Sequence, residues 1–176
     1  MNQHNSATFT FAGWCAYGSA LVSAVGVVFA VLLYIGLLTP AKALVAFGPL
    51  NDVCILAQYA LALPIAFAVH RLLRPHSQRL SAVAATIGIA GMIGVIVFQA
   101  LLLAGLMGFR QQVVYASASI LLIGVWLILI GAMGRRSSDL GGRWALFISA
   151  ALYFGYPLWA YWLSRRLLRS QVVAAA

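Results

Sequence analysis

The residues able to do chemistry in this chain are polar side chains set deep in apolar segments, and most of them fall in one stretch, Gly48 to Pro75, GPLNDVCILAQYALALPIAFAVHRLLRP. It carries Asp52, one of only two acids, with Asn51, Cys54, Gln58 and Tyr59, and it ends in His70, Arg71 and Arg74. Polar groups are costly in hydrocarbon, so they turn towards a bundle interior, a water-filled cavity or a bound partner. Gln99 is the deep amide of a later segment, and Ser117 lies near the start of the next. Asp52 has two available roles. It can act with Asn51 on a ligand, or it can cap the helix that starts beside it, where orphan amides and the helix dipole favour a carboxylate.

These residue types do not assemble into a recognisable catalytic set. Two carboxyls, or a nucleophile with a base, must lie within hydrogen-bond reach, and the second acid, Asp139, belongs to a loop expected on the opposite side of the protein. HExxH, GxSxG, phosphate-cradling and dinucleotide-binding motifs are all missing from the chain. His4, His70 and His76 are placed outside the apolar spans and do not converge, and Cys15 and Cys54 fall towards opposite membrane faces. The expectation is therefore no catalytic residue, no metal, no cofactor and no disulfide.

The elements that must position these groups are membrane helices. Of 176 residues 64% are hydrophobic and 7% charged, with mean hydropathy +1.01, and no soluble core of this size can hide that much apolar surface. The reading is an all-α, polytopic transmembrane bundle, a single domain of five helices at about 8–38, 51–73, 80–107, 113–133 and 144–163, with a basic tail at 164–176. The polar start MNQHNSA lacks the basic region of a signal peptide, so the first segment is expected to stay uncleaved. The net charge of +9 sits in loops, segment ends and the tail, a placement that suits membrane orientation and anionic head groups rather than nucleic acid. Arg71, Arg74, Arg79, Arg135, Arg136 and Arg143 are the expected head-group contacts on one side. Lys42, Arg110, Arg165, Arg166 and Arg169 lie on the other. The narrow excess favours a cytoplasmic N-terminus and an external C-terminus.

Two stripes of small residues predict close helix packing. In the first segment Ala12, Ala16, Ser19, Ser23, Gly26 and Ala30 share a face, and in the third Ala84, Gly88, Gly91 and Gly94 do so. Segment two is entered and segment three is left at the same side, which puts Gln58 and Gln99 each about eight residues, or roughly 12 Å, below it. The expected ligand-binding cluster is Asn51, Asp52, Gln58, Tyr59, Gln99 and Ser117, in one half of the bundle. The alternative is that the two glutamines bond each other and seal the core.

The ending YPLWAYWLSRRLLR and the stretch ALALPIAFAVHRLLRP resemble uncharacterised bacterial integral-membrane proteins, in which an LLRP-type loop and a P-[ILV]-W-x-x-W-L-x-R-x-L close recur. The resemblance implies a multi-pass protein of the bacterial inner membrane, without an assigned activity and often with six helices rather than five. Composition and packing stripes together point to a non-catalytic bundle, an accessory subunit of a membrane complex or a binder of a lipid-like molecule. Its expected partners are the bilayer, anionic lipids and other transmembrane helices or copies of itself. A small-solute or ion transporter built as a homo-oligomer, and a membrane enzyme using Asp52, are the alternatives.

Overall fold

A computed structural model of the chain describes residues 3–134 and Arg165. The elements among them are helices: α1 (Gln3–Leu38), a 3-10 turn (Lys42–Ala46), α2 (Phe47–Leu73), α3 (Gln78–Leu103) and α4 (Phe109–Gly134). Each α-helix includes a stretch long and apolar enough to cross a membrane. The 26 residues of α3 or of α4 reach about 39 Å, against a hydrocarbon thickness of about 30 Å. Four membrane-length helices thus stand where five were expected. The fifth segment, 144–163, lies outside the described residues, and of the tail 164–176 only Arg165 lies within them.

Short links make successive helices antiparallel neighbours. α2 lies between α1 and α3, α3 lies beside α4, and α4 returns to touch α2. Among the described elements, the backbone of α1 comes close to α2 and to the 3-10 turn. The core is built where α2, α3 and α4 meet, around Ile65, Val69, Leu73, Met92, Trp126 and Leu127, all nearly inaccessible.

Small residues form both outer seams. All six stripe positions of α1, from Ala12 to Ala30, are buried, while Phe11, Trp14, Leu21, Val25 and Val28 on the other side are exposed. With lipid as solvent the apolar effect cannot drive helices together, so contact area and short approach must do it. At Gly26 an added Cβ would lie 3.1 Å from Cys54 Cβ. Across the same seam Ser19 Oγ donates to the Gln58 carbonyl at 3.3 Å, and at the far end Arg71 donates to Thr8 Oγ1 at 3.1 Å.

The α3–α4 seam is closer still. A Cβ at Gly88 would meet the ring of Trp126, and one at Gly91 would lie 2.7 Å from the backbone oxygen of Ser119. Gly94 faces the Ser119 side chain, whose hydroxyl donates to its own helix at Tyr115 O, 3.1 Å. At Gly91 the neighbour is main chain, so no rotamer change makes room.

Helix ends depart from the sequence reading in a consistent way. α2 begins at Phe47 rather than Asn51 because the 3-10 turn feeds into it. Its N-cap is Ala46, in helical conformation and without a side-chain cap. Asp52 is therefore more than a turn inside the helix, which overturns the capping role. α3 begins at Gln78 behind Ser77, whose extended backbone and hydroxyl, accepting from Leu80 N, make an N-cap. It ends at Leu103 rather than near residue 107, since Gly105 takes φ +70°, with Leu106 N bonding Leu101 O at 2.9 Å and Gly105 N bonding Leu102 O at 3.0 Å. That pair of bonds is a Schellman close, which only glycine enters without strain. α4 starts at Phe109, four residues before the expected Val113. α2 runs through Pro64 as one helix.

Substitution at Gly91 tests the seam. Gly91→Val should destabilise the protein by about 1–3 kcal/mol, because two helices must part to admit the side chain. Gly18→Ala, whose Cβ would sit 3.4 Å from Leu61 Cδ1, should stay within about 0.5 kcal/mol of the parent. Thermal unfolding in detergent followed by circular dichroism measures both.

Candidate functional site

An opening lies at the end of the bundle where α1 passes into α2 and α3 into α4. It has a volume of about 700 Å³. Three elements aim polar groups into it. Asn51 and Asp52 come from the second turn of α2, Gln99 from the last turns of α3, and Gln112 from the first turn of α4. The remaining wall is apolar, with Val27, Val31 and Leu33 from α1, Ile55 from α2, and the rings of Tyr34 and Phe109 at its edge.

The amides form a buried pair. Gln112 Nε2 donates to Gln99 Oε1 at 3.0 Å, and the two residues are 7% and 1% exposed. That bond satisfies one end of Gln99. Its Nε2 is buried, and the acceptor beside it is the Asp52 carboxyl. Among the described residues Asp52 forms no ion pair, and no lysine, arginine or histidine lines the cavity.

Gln58 and Tyr59 lie elsewhere. They line a separate space of about 50 Å³ with Ser23, Gly26, Cys54 and Ile120, and Asn51 borders both cavities. The two helix-end shifts explain this. α2 starts about one turn earlier than the sequence suggests, which sinks Gln58 by about 6 Å, and α3 stops about one turn earlier, which raises Gln99 by as much. The residue at matching depth with Gln99 is Asp52, and the amide that meets it is Gln112. Ser117 is on the exposed side of α4 and lines neither cavity, whereas Ser119, two residues on, is buried in the α3–α4 seam. Gln112 escaped the sequence reading because it was placed in the link before segment four. The signal was present in Gly105, three residues past which a new helix has room to begin.

At the opposite end of the bundle Arg71, Arg74 and Arg79 are exposed around the α2–α3 link, while Arg135, Arg136 and Arg143 lie outside the described residues. His76, Ser77 and Leu80 there border a third space of about 270 Å³ with Ala132 and Met133. Cys15 and Cys54 are free thiols. No group of three or more histidine, cysteine or acidic side chains converges among the described residues.

Removing Gln112 should expose the dependence of the amide pair on both members. Gln112→Leu leaves the Gln99 oxygen without its donor and should lower stability by about 1–3 kcal/mol, whereas the double variant Gln99→Leu, Gln112→Leu should recover most of that loss. A double-mutant cycle on thermal unfolding in detergent should give a coupling of about 0.6–1.7 kcal/mol.

Comparison with known proteins adds nothing to this geometry: no family model, no curated protein and no solved structure matches the chain.

Proposed function

We propose that this chain is a non-catalytic, multi-pass membrane protein that binds a lipid-like amphiphile in the cavity between α1, α2 and the α3–α4 turn. The observation that carries the reading is a cavity of about 700 Å³ that gathers Asn51, Asp52, Gln99 and Gln112 in a lining that is apolar over most of its remaining wall. Ligand sites of about 300–1,000 Å³ with a few fixed polar groups in an apolar lining are the ordinary form of small-molecule recognition. An amphiphile satisfies both parts, its head at the amides and carboxylate and its chain along the valines and leucines.

Transport needs a second opening. Among the described residues, Ile65, Val69, Leu73 and Trp126 fill the bundle between the two polar cavities and the space beside His76, so a bound molecule leaves the way it came. Catalysis needs a second titratable group beside Asp52, and the lining offers amides and the Tyr34 phenol. Binding asks less of these residues than either alternative does. The excess of arginine at the α2–α3 link supports placing that end at the cytoplasmic face of a bacterial inner membrane. The cavity then opens towards the outer side. A role as a subunit that presents its ligand to a larger membrane complex follows from the same picture.

Mass spectrometry of protein purified in mild detergent should find about one amphiphile retained per chain after delipidation. Val27→Trp with Val31→Trp should fill the cavity and abolish that retention while thermal stability is kept. Equal retention by the filled variant, or none by the parent, overturns the reading.

A further inference from the structure

At the arginine-bearing end of the bundle the α2–α3 link lies against the last turn of α4. His76, Ser77 and Leu80 on one side and Ala132 and Met133 on the other border a space of about 270 Å³. Its rim is basic. Arg74 stands two residues before His76, and Arg79 lies between Ser77 and Leu80; both are exposed, and among the described residues neither makes a hydrogen bond or an ion pair. Arg71 is already engaged, donating to Thr8 Oγ1 at 3.1 Å. His76 brings a ring N–H in either tautomer. The Ser77 hydroxyl, whose oxygen accepts from Leu80 N at 3.4 Å, keeps its own proton to donate. The floor is apolar. Leu80, Ala132 and Met133 supply it, and one turn further from the link the exposed Val83 on α3 and Ile128 on α4 continue the same two helix faces. Both helices are long and apolar enough to cross a membrane, so that strip meets acyl chains. A soluble anion satisfies the donors and leaves the floor bare. A phospholipid satisfies both, because its phosphate is tied to chains that run along the helices. Two unengaged guanidiniums favour a head group of net negative charge over a zwitterionic one.

We infer that this space is a binding site for one anionic phospholipid, its phosphate held by Arg74, His76, Ser77 and Arg79 and an acyl chain lying over Leu80, Ala132 and Val83. Arginines at a helix end attract anionic lipid in general. The space between α3 and α4 gives that attraction a fixed place and a stoichiometry of one. The site is separate from the cavity around Asp52 and does not depend on what that cavity binds.

Native mass spectrometry of the full chain in mild detergent, titrated with dioleoyl phosphatidylglycerol or dioleoyl phosphatidylcholine, tests the site. One phosphatidylglycerol should bind about tenfold or more tighter than phosphatidylcholine. Arg74→Gln with Arg79→Gln should remove that preference, at about fivefold for each charge, and keep phosphatidylcholine affinity within about twofold of the parent. Lys42→Gln with Arg110→Gln takes the same two charges from the other end of the bundle and should leave both affinities as in the parent. So should Val27→Trp with Val31→Trp, which fills the other cavity, and this separates the result from the reading of that cavity. Ala132→Trp, which occupies the groove and keeps the charges, should weaken both lipids; where circular dichroism shows that it does not fold, Ala132→Leu replaces it. Equal losses in the two charge variants mean diffuse attraction and overturn the site. A parent without preference for phosphatidylglycerol overturns it as well, and displacement of the lipid by glycerol phosphate at equal concentration makes it a site for a soluble anion instead.

Discussion

The approach of α3 to α4 through Gly88 and Gly91 is the constraint on which the rest of the structure depends. With Trp126 laid against one glycine and the Ser119 main chain against the other, α4 has a single rotation and a single height relative to α3. Counting from that contact towards the end of the bundle, Gln99 follows Gly94 by five residues and Gln112 precedes Ser119 by seven, so both lie one to two turns beyond it. The amide pair is thus a result of where the glycines are. Larger residues at the seam would turn or lift α4 and break the Gln99–Gln112 bond without touching either glutamine.

The cavity follows from the same geometry. α3 and α4 are held together tightly, α2 packs on both, and α1 is attached through a seam of its own on the far side of α2. Two pairs of close-packed helices meet less closely at the end where their links diverge, and the space left between α1 and the α3–α4 turn is the opening into which Asp52 and Gln99 point. Its polar floor lies within about two turns of the helix ends, where a carboxylate is less costly than at the bilayer centre.

Much of this was legible in the sequence. Apolar length announced membrane helices, and the small-residue faces of α1 and α3 are buried in the structure because a stripe of alanine, serine and glycine has a distinctive spacing and a single physical use in lipid. What escaped was the phase of each helix against its neighbours. Depth was counted from helix ends, and those ends are decided by local features with weak sequence signals, the 3-10 turn before Phe47 and the Schellman close at Gly105. An error of four residues is harmless for identifying a span. It is decisive for pairing amides, because one turn is the whole distance over which a hydrogen bond exists or does not. That is why the sequence pairs Gln58 with Gln99 where the structure pairs Gln112 with it.

The single-sided attachment of α1 has a mechanical consequence. Its C-terminal half supplies one wall of the cavity through Val27, Val31, Leu33 and Tyr34, and among the described elements that wall is braced by α2 and, at Gly36, by the 3-10 turn. A lean of α1 away from the α3–α4 turn strains the α1–α2 seam and the 3-10 turn, and leaves the glycine seam and the buried amides undisturbed. Of the walls of the cavity, this one has the fewest described neighbours, and an opening through it would face acyl chains rather than water.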